Sequence, residues 1–564
     1  MAFSNVTWDV GTGGSDSNGG GFAGGSETGA PSAPSVSTAT SGGSVAANTY
    51  YVIITLTDEY GQSPKSSQTS IVTTGATSTI TVTAPTVDRT VYSHWSVYMG
   101  TVTGGPYFLQ GSQFQVPGTN FVRTTTPATT GTQPPGTDFS RQDAAQHSYT
   151  DLVIDAVTNT SITSAGRAFT PVDVGNVLNV TSGTGFTVQR LQITAVSAAG
   201  VATVDKSAGT LGSTGGNATY GGRFLTPGFA AGAMTGTLPS CRIHAGNYDC
   251  SSTANVAAGR MNPSGNGSAA KPARIYGAIG EAKPALRPSA NSVSIIAFPG
   301  SLQSAEGITF NPNGFTGSIG VNGGAGSSNR VRNCKFTTAT GATIGGASGN
   351  VFDSEFDGCD VPVSLNSTGC RATGNRIINC AGASAVVVNS GGCIVSQNLI
   401  HSCTGGGINT NASSTSALVI GNTLHFTGGT GTPITVSGPH SVVENNVISN
   451  VDQPAFTAVA DGNATQPIIR SNAVYRSDGG AVFSQLLMDG GGNVTLTADP
   501  FVSVAGLNFA LNNVAGGGAA ARGIAWPTTW PGLATTVNDQ DAGAVQSGGI
   551  TGPSGGLLYF AGLD

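Results

Sequence analysis

The sequence has few charged residues. Asp, Glu, Lys and Arg together make up 9% of its 564 residues, against roughly 25% in ordinary globular proteins. Disorder does not explain this composition, because disordered chains combine low hydrophobicity with high net charge, whereas this chain is 38% hydrophobic with a formal net charge of −6. Its 85 glycines and its short alternating runs of Val, Ile and Phe instead predict an all-β protein with many turns.

Long apolar runs and basic runs are also lacking. No stretch approaches the roughly 18 apolar residues of a membrane helix, and the first residues lack the pattern of a secretory leader. We therefore expect a soluble protein, made in a cytoplasm and not inserted in a membrane. The mildly acidic balance without a Lys/Arg run argues against nucleic acid as a partner. No motif predicts a cofactor, since the Gly19-x-Gly21-x-x-Gly24 triplet has no strand before it and no helix after it.

Composition divides the chain into five segments. Residues 1–30 are too Gly-rich to bury a core, and we expect an attachment arm that becomes ordered only against a partner. Residues 31–137 have short strands at the spacing of a β-sandwich, and residues 138–225 form a second small β domain after a Thr/Pro/Gly linker. A long repetitive region at 226–547 and a C-terminal tail at 548–564 follow.

The two small domains carry the first resemblances to known proteins. In the first, strands are predicted at 50–56, 70–72, 80–82, 95–99 and 107–109. Its succession of Tyr-x-Val-x-Ile, Asp-Glu-Tyr-Gly-Gln-Ser, Val-Tyr-Met-Gly and Gly-Gly-Pro-Tyr-Phe-Leu-Gln resembles fibronectin-III-like modules of phage tail and fibre proteins. In the second, strands are predicted at 152–154, 177–180, 191–196 and 201–204. That domain resembles a small β domain that often precedes β-helices in phage proteins.

One pattern returns at nearly constant spacing between residues 331 and 477. It consists of a polar residue, any residue and an apolar residue, and its copies begin at Cys334, Ser354, Asn375, Asn398, Asn422, Asn446 and Asn472. Successive copies are 20, 21, 23, 24, 24 and 26 residues apart. This period is too short for helix-pair repeats and suits one coil of a parallel β-helix. Leucine-rich repeats share the period, but their Leu-x-x-Leu-x-Leu signature is absent.

Alternation along a strand predicts where each residue of the repeat points. The first and third residues should face inward and the middle residue outward. The inward asparagines would then form a ladder in which each amide bonds to its neighbour one coil away. The third residues would form an apolar stack of Phe336, Phe356, Ile377, Ile400, Leu424, Ile448 and Val474.

The cysteines follow the same register. The equivalent positions are Cys359 with Cys380 and Cys403, and Cys370 with Cys393. Such stacks could form disulfides or a metal site, but no Cys-x-x-Cys pair exists and stacked side chains point the same way, so we interpret them as small buried apolar residues. Cys241 and Cys250 flank a segment that looks like the first coil of many β-helix proteins, and a bridge between them is an open alternative.

Acidic residues are candidates for catalysis, because a glycosidase needs two carboxyl groups on one face, about 5 Å apart for retention or roughly 6.5–9.5 Å for inversion. The candidates are Asp353, Glu355, Asp357, Asp360 and Glu444. Glu355, however, falls in the outward column between Lys335 and Arg376 of the adjacent coils, which predicts a surface salt ladder with a spacing of about 4.8 Å. We favour the ladder over catalysis. Glu444, like Asp452, flanks one repeat and is interpreted as a turn residue.

Two histidines occupy equivalent positions one coil apart. His401 and His425 could stack or share a metal ion, but their column neighbours Ile378 and Ser449 supply no further nitrogen or carboxylate ligand, and Asp357 lies two coils away from His401. We interpret them as a packed or solvated pair and predict no metal site. No Ser/His/Asp arrangement is evident.

The last part of the repetitive region carries the family resemblance. The segments Leu-Thr-Ala-Asp-Pro-Phe-Val-Ser, from Leu496, and Gly-Leu-Asn-Phe-Ala-Leu-Asn, from Gly506, resemble the closing segment of right-handed β-helix proteins of the pectate-lyase-like group. The expected fold is therefore all-β, with small N-terminal β-sandwich domains followed by a right-handed parallel β-helix. The whole layout resembles phage tail fibre and tailspike proteins.

That resemblance implies a structural virion protein, assembled in the host cytoplasm. It would attach to other virion proteins through its N-terminal region, present the β-helix to a host-surface glycan, and form a homotrimer. Two alternatives stay open. One is a glycan depolymerase, a lyase or hydrolase, and the other is an architectural capsid decoration or tail protein.

Overall fold

A computed structural model describes most of the chain. The described residues are 6–20, 22–23, 30–58, 61–87, 92–111, 115, 118–134, 146–170, 173–234, 240–250, 273–278, 281–288, 294–311, 319–324, 328–337, 340–344, 348–426, 431–449, 456–458, 467–480 and 488–521. They form two compact units. The N-terminal unit contains residues 6–7 and the described residues of 19–222, and the β-helix unit contains residues 8–18 and the described residues from 223 onward. Among the described residues, no helix has the length and apolar character needed to cross a membrane.

The first part of the N-terminal unit is a pair of antiparallel sheets. After β1 (Val6–Val10) and β2 (Phe22–Ala23), its strands are β3 (Val36–Ala39), β4 (Asn48–Asp58), β5 (Gly61–Gln62), β6 (Thr69–Thr73), β7 (Thr79–Val82), β8 (Tyr92–Gly100), β9 (Phe108–Leu109) and β10 (Phe121–Arg123). One sheet has the order β10-β7-β3 and the other β5-β4-β8-β9, with β6 also paired to β4. Ile54, Ile80 and Trp95 belong to one core shared by both sheets. The predicted strands are confirmed. Strands β3 and β10 are too short to show alternation in the sequence.

The second part of the N-terminal unit is a closed six-stranded sheet. Its strands are β11 (His147–Ile154), β12 (Ser161–Thr163), β13 (Val177–Ser182), β14 (Gln189–Val196), β15 (Ala202–Val204) and β16 (Thr214–Tyr220). The order β11-β12-β15-β14-β13-β16 closes because β16 pairs with both β11 and β13. The four predicted strands are confirmed. Strand β16 is not predicted from its sequence, Thr-Gly-Gly-Asn-Ala-Thr-Tyr, because glycine lacks the β-branched or aromatic side chain that favours a strand.

Three parallel sheets, each receiving one strand per coil, build the β-helix unit. Sheet 1 continues from β1 with β17 (Ser240–Ile243), β19 (Ala273–Gly277), β22 (Gln303–Glu306), β25 (Arg330–Arg332), β28 (Asn350–Phe352), β31 (Arg371–Thr373), β34 (Ile394–Ser396), β37 (Leu418–Ile420), β40 (Val442–Glu444), β43 (Ile468–Arg470) and β45 (Met488–Asp489). Sheet 2 has β18 (Asn247–Asp249), β20 (Ala285–Arg287), β23 (Thr309–Phe310), β26 (Lys335–Thr337), β29 (Glu355–Asp357), β32 (Arg376–Ile378), β35 (Leu399–His401), β38 (Thr423–His425), β41 (Val447–Ser449), β44 (Ala473–Tyr475) and β46 (Val494–Leu496). Sheet 3 has β21 (Ser294–Ala297), β24 (Ile319–Asn322), β27 (Thr340–Ile344), β30 (Val363–Leu365), β33 (Ser384–Val388), β36 (Gly406–Thr410), β39 (Ile434–Val436) and β42 (Phe456–Ala458).

A two-residue bend precedes the sheet 2 strand in each coil from β22 onward. Its first residue is left-handed, with φ between 49° and 73°, at Gly307, Asn333, Asp353, Gly374, Gln397, Gly421, Asn445, Ser471 and Gly492. Gly, Asn and Asp recur there because they tolerate this conformation best. The second residue is the first residue of the sequence repeat and points into the interior.

The predicted asparagine ladder is confirmed and extends one coil further than predicted. The Nδ2 atoms of Asn375, Asn398, Asn422, Asn446 and Asn472 each donate to the Oδ1 atom of the next asparagine, at 2.9–3.0 Å, and the last acceptor is Asn493. The same Oδ1 atoms accept the backbone N–H of the preceding coil, as Asn422 does from Asn398 at 3.0 Å. The ladder thus ties each bend to the next.

The predicted apolar stack is also confirmed. Phe336 and Phe356 are fully buried, and their ring centroids are 4.6 Å apart at an interplanar angle of 6°. Phe310 extends the stack by one ring at the same distance. All eight cysteines are buried free thiols, so Cys241 and Cys250 form no bridge. The stacked cysteines pack in the interior as apolar residues do.

The β-helix unit also includes an early segment of the chain, which differs from the predicted arm. Residues 8–10 of β1 extend sheet 1 beside β17, and Trp8 and Val10 are completely buried. Residues 8–18 are therefore ordered against their own chain. The reason is tertiary pairing, because helix α1 (Pro227–Ala233) and strand β17, which complete this end, follow more than 200 residues later.

A hairpin follows the last coil. Strands β47 (Phe501–Ser503) and β48 (Asn508–Leu511) pair antiparallel, and a short helix α2 (Gly518–Ala521) follows. Phe501, Phe509 and Leu511 pack against the outer side of sheet 2 near Val447 and Ala473. The tail at 548–564 lies outside the described residues.

Candidate functional site

The acidic cluster predicted from the sequence lies around one coil of sheet 2. Glu355 and Asp357 lie two positions apart on the strand Glu355–Asp357, and Phe356 between them is fully buried. Both carboxylates therefore point outward, with Cα atoms about 6.6 Å apart. Asp353 occupies the left-handed bend before this strand, and Asp360 is exposed in the turn after it. The five candidates are not brought together, since Glu444 lies several coils away on sheet 1.

Glu355 forms the predicted salt ladder. Its Oε1 atom is 2.8 Å from Lys335 Nζ, and its Oε2 atom is 3.4 Å from an Arg376 guanidinium nitrogen. Partial burial raises the pKa of Glu355, but the two cations outweigh it and hold the pKa below its ordinary value. A carboxylate paired in this way is not a proton donor near neutral pH.

Asp353 has a different environment from its neighbours. Its Oδ2 atom is buried and has no hydrogen-bond partner among the described residues. Burial raises its pKa to about 6, although the nearby Arg332 guanidinium acts in the opposite direction. Asp357, by contrast, accepts a hydrogen bond from Asn379 Nδ2 at 2.9 Å. The protonation of Asp353 would therefore change near neutral pH.

Glu444 is not a turn residue, contrary to the interpretation from its position. It ends strand β40, is 4% exposed, and its Oε2 atom lies 2.6 Å from Arg470 Nε. Glu444 lies in one outward column of sheet 1, between Ile420 and Arg470 of the adjacent coils. Asp452 lies outside the described residues.

The two histidines are packed rather than solvated. His401 and His425 are each 3% exposed, and the Phe509 ring lies 4.9 Å from the first imidazole and 5.9 Å from the second, measured between centroids. His425 Nδ1 is 3.0 Å from Ser449 Oγ. Burial lowers the pKa of both rings, to about 4 for His401. No group of three potential metal ligands occurs among the described residues.

The sequence analysis missed a charged cluster at the start of the β-helix unit. Asp9 is 3% exposed, and its Oδ1 atom lies 2.8 Å from Arg242 Nε and 3.0 Å from His244 Nε2. Its Oδ2 atom lies 3.2 Å from Arg223 Nε, and His244 Nδ1 lies 2.6 Å from Glu281 Oε1. No spacing in the sequence connects Asp9 to these residues, so only the fold reveals the cluster. The ion pairs of this cluster hold strand β1 against the first coil.

These coils place the protein in a fold class. The family model described as "Right handed beta helix region" matches residues 289–424 and 361–516, which contain the repeats. This part of the chain is a right-handed parallel β-helix, and the predicted fold is confirmed. No curated protein sequence matches the chain.

Three solved structures illustrate the similarity. Pectate lyase Pel9A has 15% sequence identity over 57% of this chain and 91% of that chain, with a TM-score of 0.41. A PL6 alginate lyase in complex with a trisaccharide has 11% identity over 43% of this chain and 65% of that chain, with a TM-score of 0.24. The tailspike protein gp49 from Pseudomonas phage LKA1 has 12% identity over 66% of each chain, with a TM-score of 0.15. Similarities of this size do not indicate an activity.

Proposed function

We propose that this chain is a structural appendage protein of a phage virion, a tail fibre or tailspike, whose β-helix binds a glycan on the host surface. The observation that carries the proposal is the unbroken internal ladder. Amides bonded at 2.9–3.0 Å from Asn375 to Asn493 lock the bends of successive coils together. Because buried amide networks with all partners satisfied are rigid, the coils form a stiff support that can hold a binding surface away from a particle.

The assembly belongs to the same proposal. The N-terminal unit would contact other virion proteins, the chain would form a homotrimer, and the protein would be assembled in the host cytoplasm. The fibronectin-III-like sequence pattern of residues 31–137 and the low charge of the chain support a role in a protein assembly rather than on nucleic acid.

Binding of the full chain to whole bacteria tests this function. The purified, fluorescently labelled protein would be incubated with a panel of bacterial strains, and extracted surface polysaccharide would serve as the competitor. We expect binding to a subset of strains, competition by polysaccharide from those strains, and a trimer by light scattering. Binding to no strain and to no polysaccharide would instead favour the architectural alternative.

A depolymerase is the second candidate, and Asp353 favours it. A carboxyl group with a pKa of about 6 is partly protonated just below neutral pH and can then act as a general acid. The test is the release of oligosaccharides from a polysaccharide that the protein binds. If cleavage occurs, Asp353→Asn should abolish it without weakening binding, because Asn keeps the left-handed bend. Asp360→Asn, an exposed neighbour, is the matched control.

A further inference from the structure

Three arginines lie together on the outer face of sheet 1. The register pairs Arg330 with Asn350 and Asn350 with Arg371 in successive coils, and it pairs Arg332 with Phe352 in the adjacent column. The residues between the two columns, Val331, Val351 and Ala372, are completely buried. Side chains alternate along a strand, so both columns point outward. Arg330 is exposed, and the other members are partly exposed.

The dimensions of this group follow from sheet geometry. Adjacent coils are about 4.8 Å apart, and alternate residues of one strand are about 6.6 Å apart. Arg330 and Arg371 are thus separated by about 9.6 Å at their Cα atoms, with the Asn350 amide between them. Phe352 lies beside Asn350 and directly follows Arg332 along its column. We call Arg330, Arg332, Asn350, Phe352 and Arg371 the arginine patch.

The charges of the arginine patch are not neutralised by ion pairs. The other arginines of sheet 1 each lie against a carboxylate: Arg242 with Asp9, Arg274 with Glu306 and Arg470 with Glu444. Within the described part of the chain, no ion pair involves Arg330, Arg332 or Arg371. The acidic groups near Arg332 are Glu306, its column neighbour in the preceding coil, and Asp353, with which it interacts electrostatically. Three unpaired cations in three coils are unusual for a chain whose net charge is −6.

We infer that the arginine patch binds an anionic polysaccharide. Guanidinium groups bind carboxylate and phosphate groups through two parallel hydrogen bonds, and successive sugar units of a chain can present such groups at intervals along a sheet. A partly exposed aromatic ring between cations suits the apolar face of a sugar ring, as in glycan sites that combine aromatic and polar groups. The inference rests on the proposed function and names the chemical class of its glycan.

Charge complementarity favours this ligand over nucleic acid. The patch offers three cations, which matches a polymer with about one charge per sugar unit. Duplex DNA carries one charge per about 1.7 Å, and proteins that bind it use extended basic surfaces.

The test compares two polymers that differ only in charge. Carboxymethyl-dextran and neutral dextran would be titrated into the full-length protein by calorimetry at low ionic strength. We expect binding of carboxymethyl-dextran alone, weakened about tenfold by Arg330→Gln or Arg371→Gln and by a rise to roughly 150 mM salt. Phe352→Leu, which keeps the apolar bulk, should weaken it severalfold.

Lys335→Gln is the matched control, because it removes one positive charge from the neighbouring sheet while Arg376 still pairs with Glu355. An equal loss of affinity in Lys335→Gln would show that general charge, not the patch, attracts the polymer. Absence of carboxymethyl-dextran binding, or tighter binding of duplex DNA, would also overturn the inference.

The whole-cell assay separates this inference from the proposed function. If wild-type protein binds bacteria and the Arg330→Gln/Arg371→Gln variant binds equally well, the patch is not the glycan site and the proposed function stands. If the wild type binds carboxymethyl-dextran through the patch but binds no strain, the proposed host-surface function fails.

Discussion

Asn422 lies in the middle of the asparagine ladder, where its amide bonds in both directions. Its Oδ1 atom accepts the N–H and the Nδ2 of Asn398, and its Nδ2 atom donates to Asn446 Oδ1 and to Val395 O. Asn422→Ala would leave several buried groups without partners. Since each such group costs about 1–3 kcal/mol, we expect the free energy of unfolding of the β-helix unit to fall by at least about 3 kcal/mol, as measured by calorimetry or denaturant titration.

The control for this variant is an asparagine of a second, outer ladder. Asn366 is exposed, and its Oδ1 atom accepts from Asn389 Nδ2 at 2.6 Å. Asn366→Ala removes the same chemical group where water can replace it, so a loss within about 0.5 kcal/mol is expected. Equal effects of the two substitutions would refute the claim that the inner ladder stabilises the coils.

The inner ladder could be predicted from the sequence because its register repeats without interruption. Its last member, Asn493, could not, because the third residue of that coil is Thr495, which pairs with Val474 in place of an apolar residue. Phe310 was missed for a related reason, since Ile308 replaces the polar first residue. The coil of Asn493 is the last one and has a neighbouring coil on one side only, so its sequence is less constrained than that of the middle coils.

At the scale of elements, the closing hairpin depends on the charge state of the histidines beneath it. Phe501 and Phe509 pack on His401 and His425. The charged or titratable groups facing the two rings are Arg376, Asp357 and Asp499. The sequence predicted the pairing of the histidines, but it did not reveal that the hairpin covers them, because packing between distant segments leaves no periodic signal.

Acid should weaken the docking of this hairpin. Burial, with smaller contributions from Arg376 and His425, lowers the pKa of His401 to about 4. Because the hairpin supplies part of this burial, a docked ring stays neutral at a pH where a released ring takes up a proton. Docking is fully stable above about pH 6.5, and part of that stability is lost as the pH falls toward 4. Hydrogen exchange of residues 496–521, corrected for intrinsic rates, should accelerate over that range.

Replacing both imidazole rings tests whether the two histidines cause the loss of hairpin docking in acid. In a His401→Gln/His425→Gln variant, the acceleration between pH 6.5 and 4 should disappear, because no imidazole remains under the hairpin. His440→Gln, at an exposed turn residue, should behave as wild type. An unchanged pH dependence in the double variant would assign the effect to other groups, such as Asp499.

At the scale of the whole molecule, the β-helix unit is discontinuous in sequence. Residues 8–18 belong to it, residues 6–7 and the described residues of 19–222 belong to the other unit, and the chain returns at Arg223. The sequence around Trp8 is Gly-rich and has few apolar residues, so it does not predict this arrangement. Strand β1 is buried because it pairs with β17, which is distant in sequence and leaves no local pattern near Trp8. The repeats between 331 and 477, in contrast, carry local periodicity and were sufficient to predict the fold.

A substitution at Asp9 tests whether residues 8–18 stabilise the β-helix unit. Arg242, with a side chain 5% exposed, would lose its counter-charge in Asp9→Asn. Because removing one partner of a buried ion pair costs about 3–5 kcal/mol, we expect the β-helix unit to unfold at a lower temperature and trypsin to cleave near residue 223 more readily. Asp360→Asn, at an exposed carboxylate, removes the same charge and should leave both readouts unchanged.

A double substitution distinguishes the lost charge from lost packing. Asp9→Leu with Arg242→Met replaces the ion pair by apolar side chains, which can be neutral or stabilising at buried sites. Recovery of the wild-type unfolding temperature in the double variant would show that the cost in Asp9→Asn arises from the uncompensated guanidinium. If Asp9→Asn itself unfolds like the wild type, the charge of Asp9 is not needed to hold residues 8–18 on the β-helix, and the pairing of β1 with β17 and the burial of Trp8 and Val10 must be sufficient.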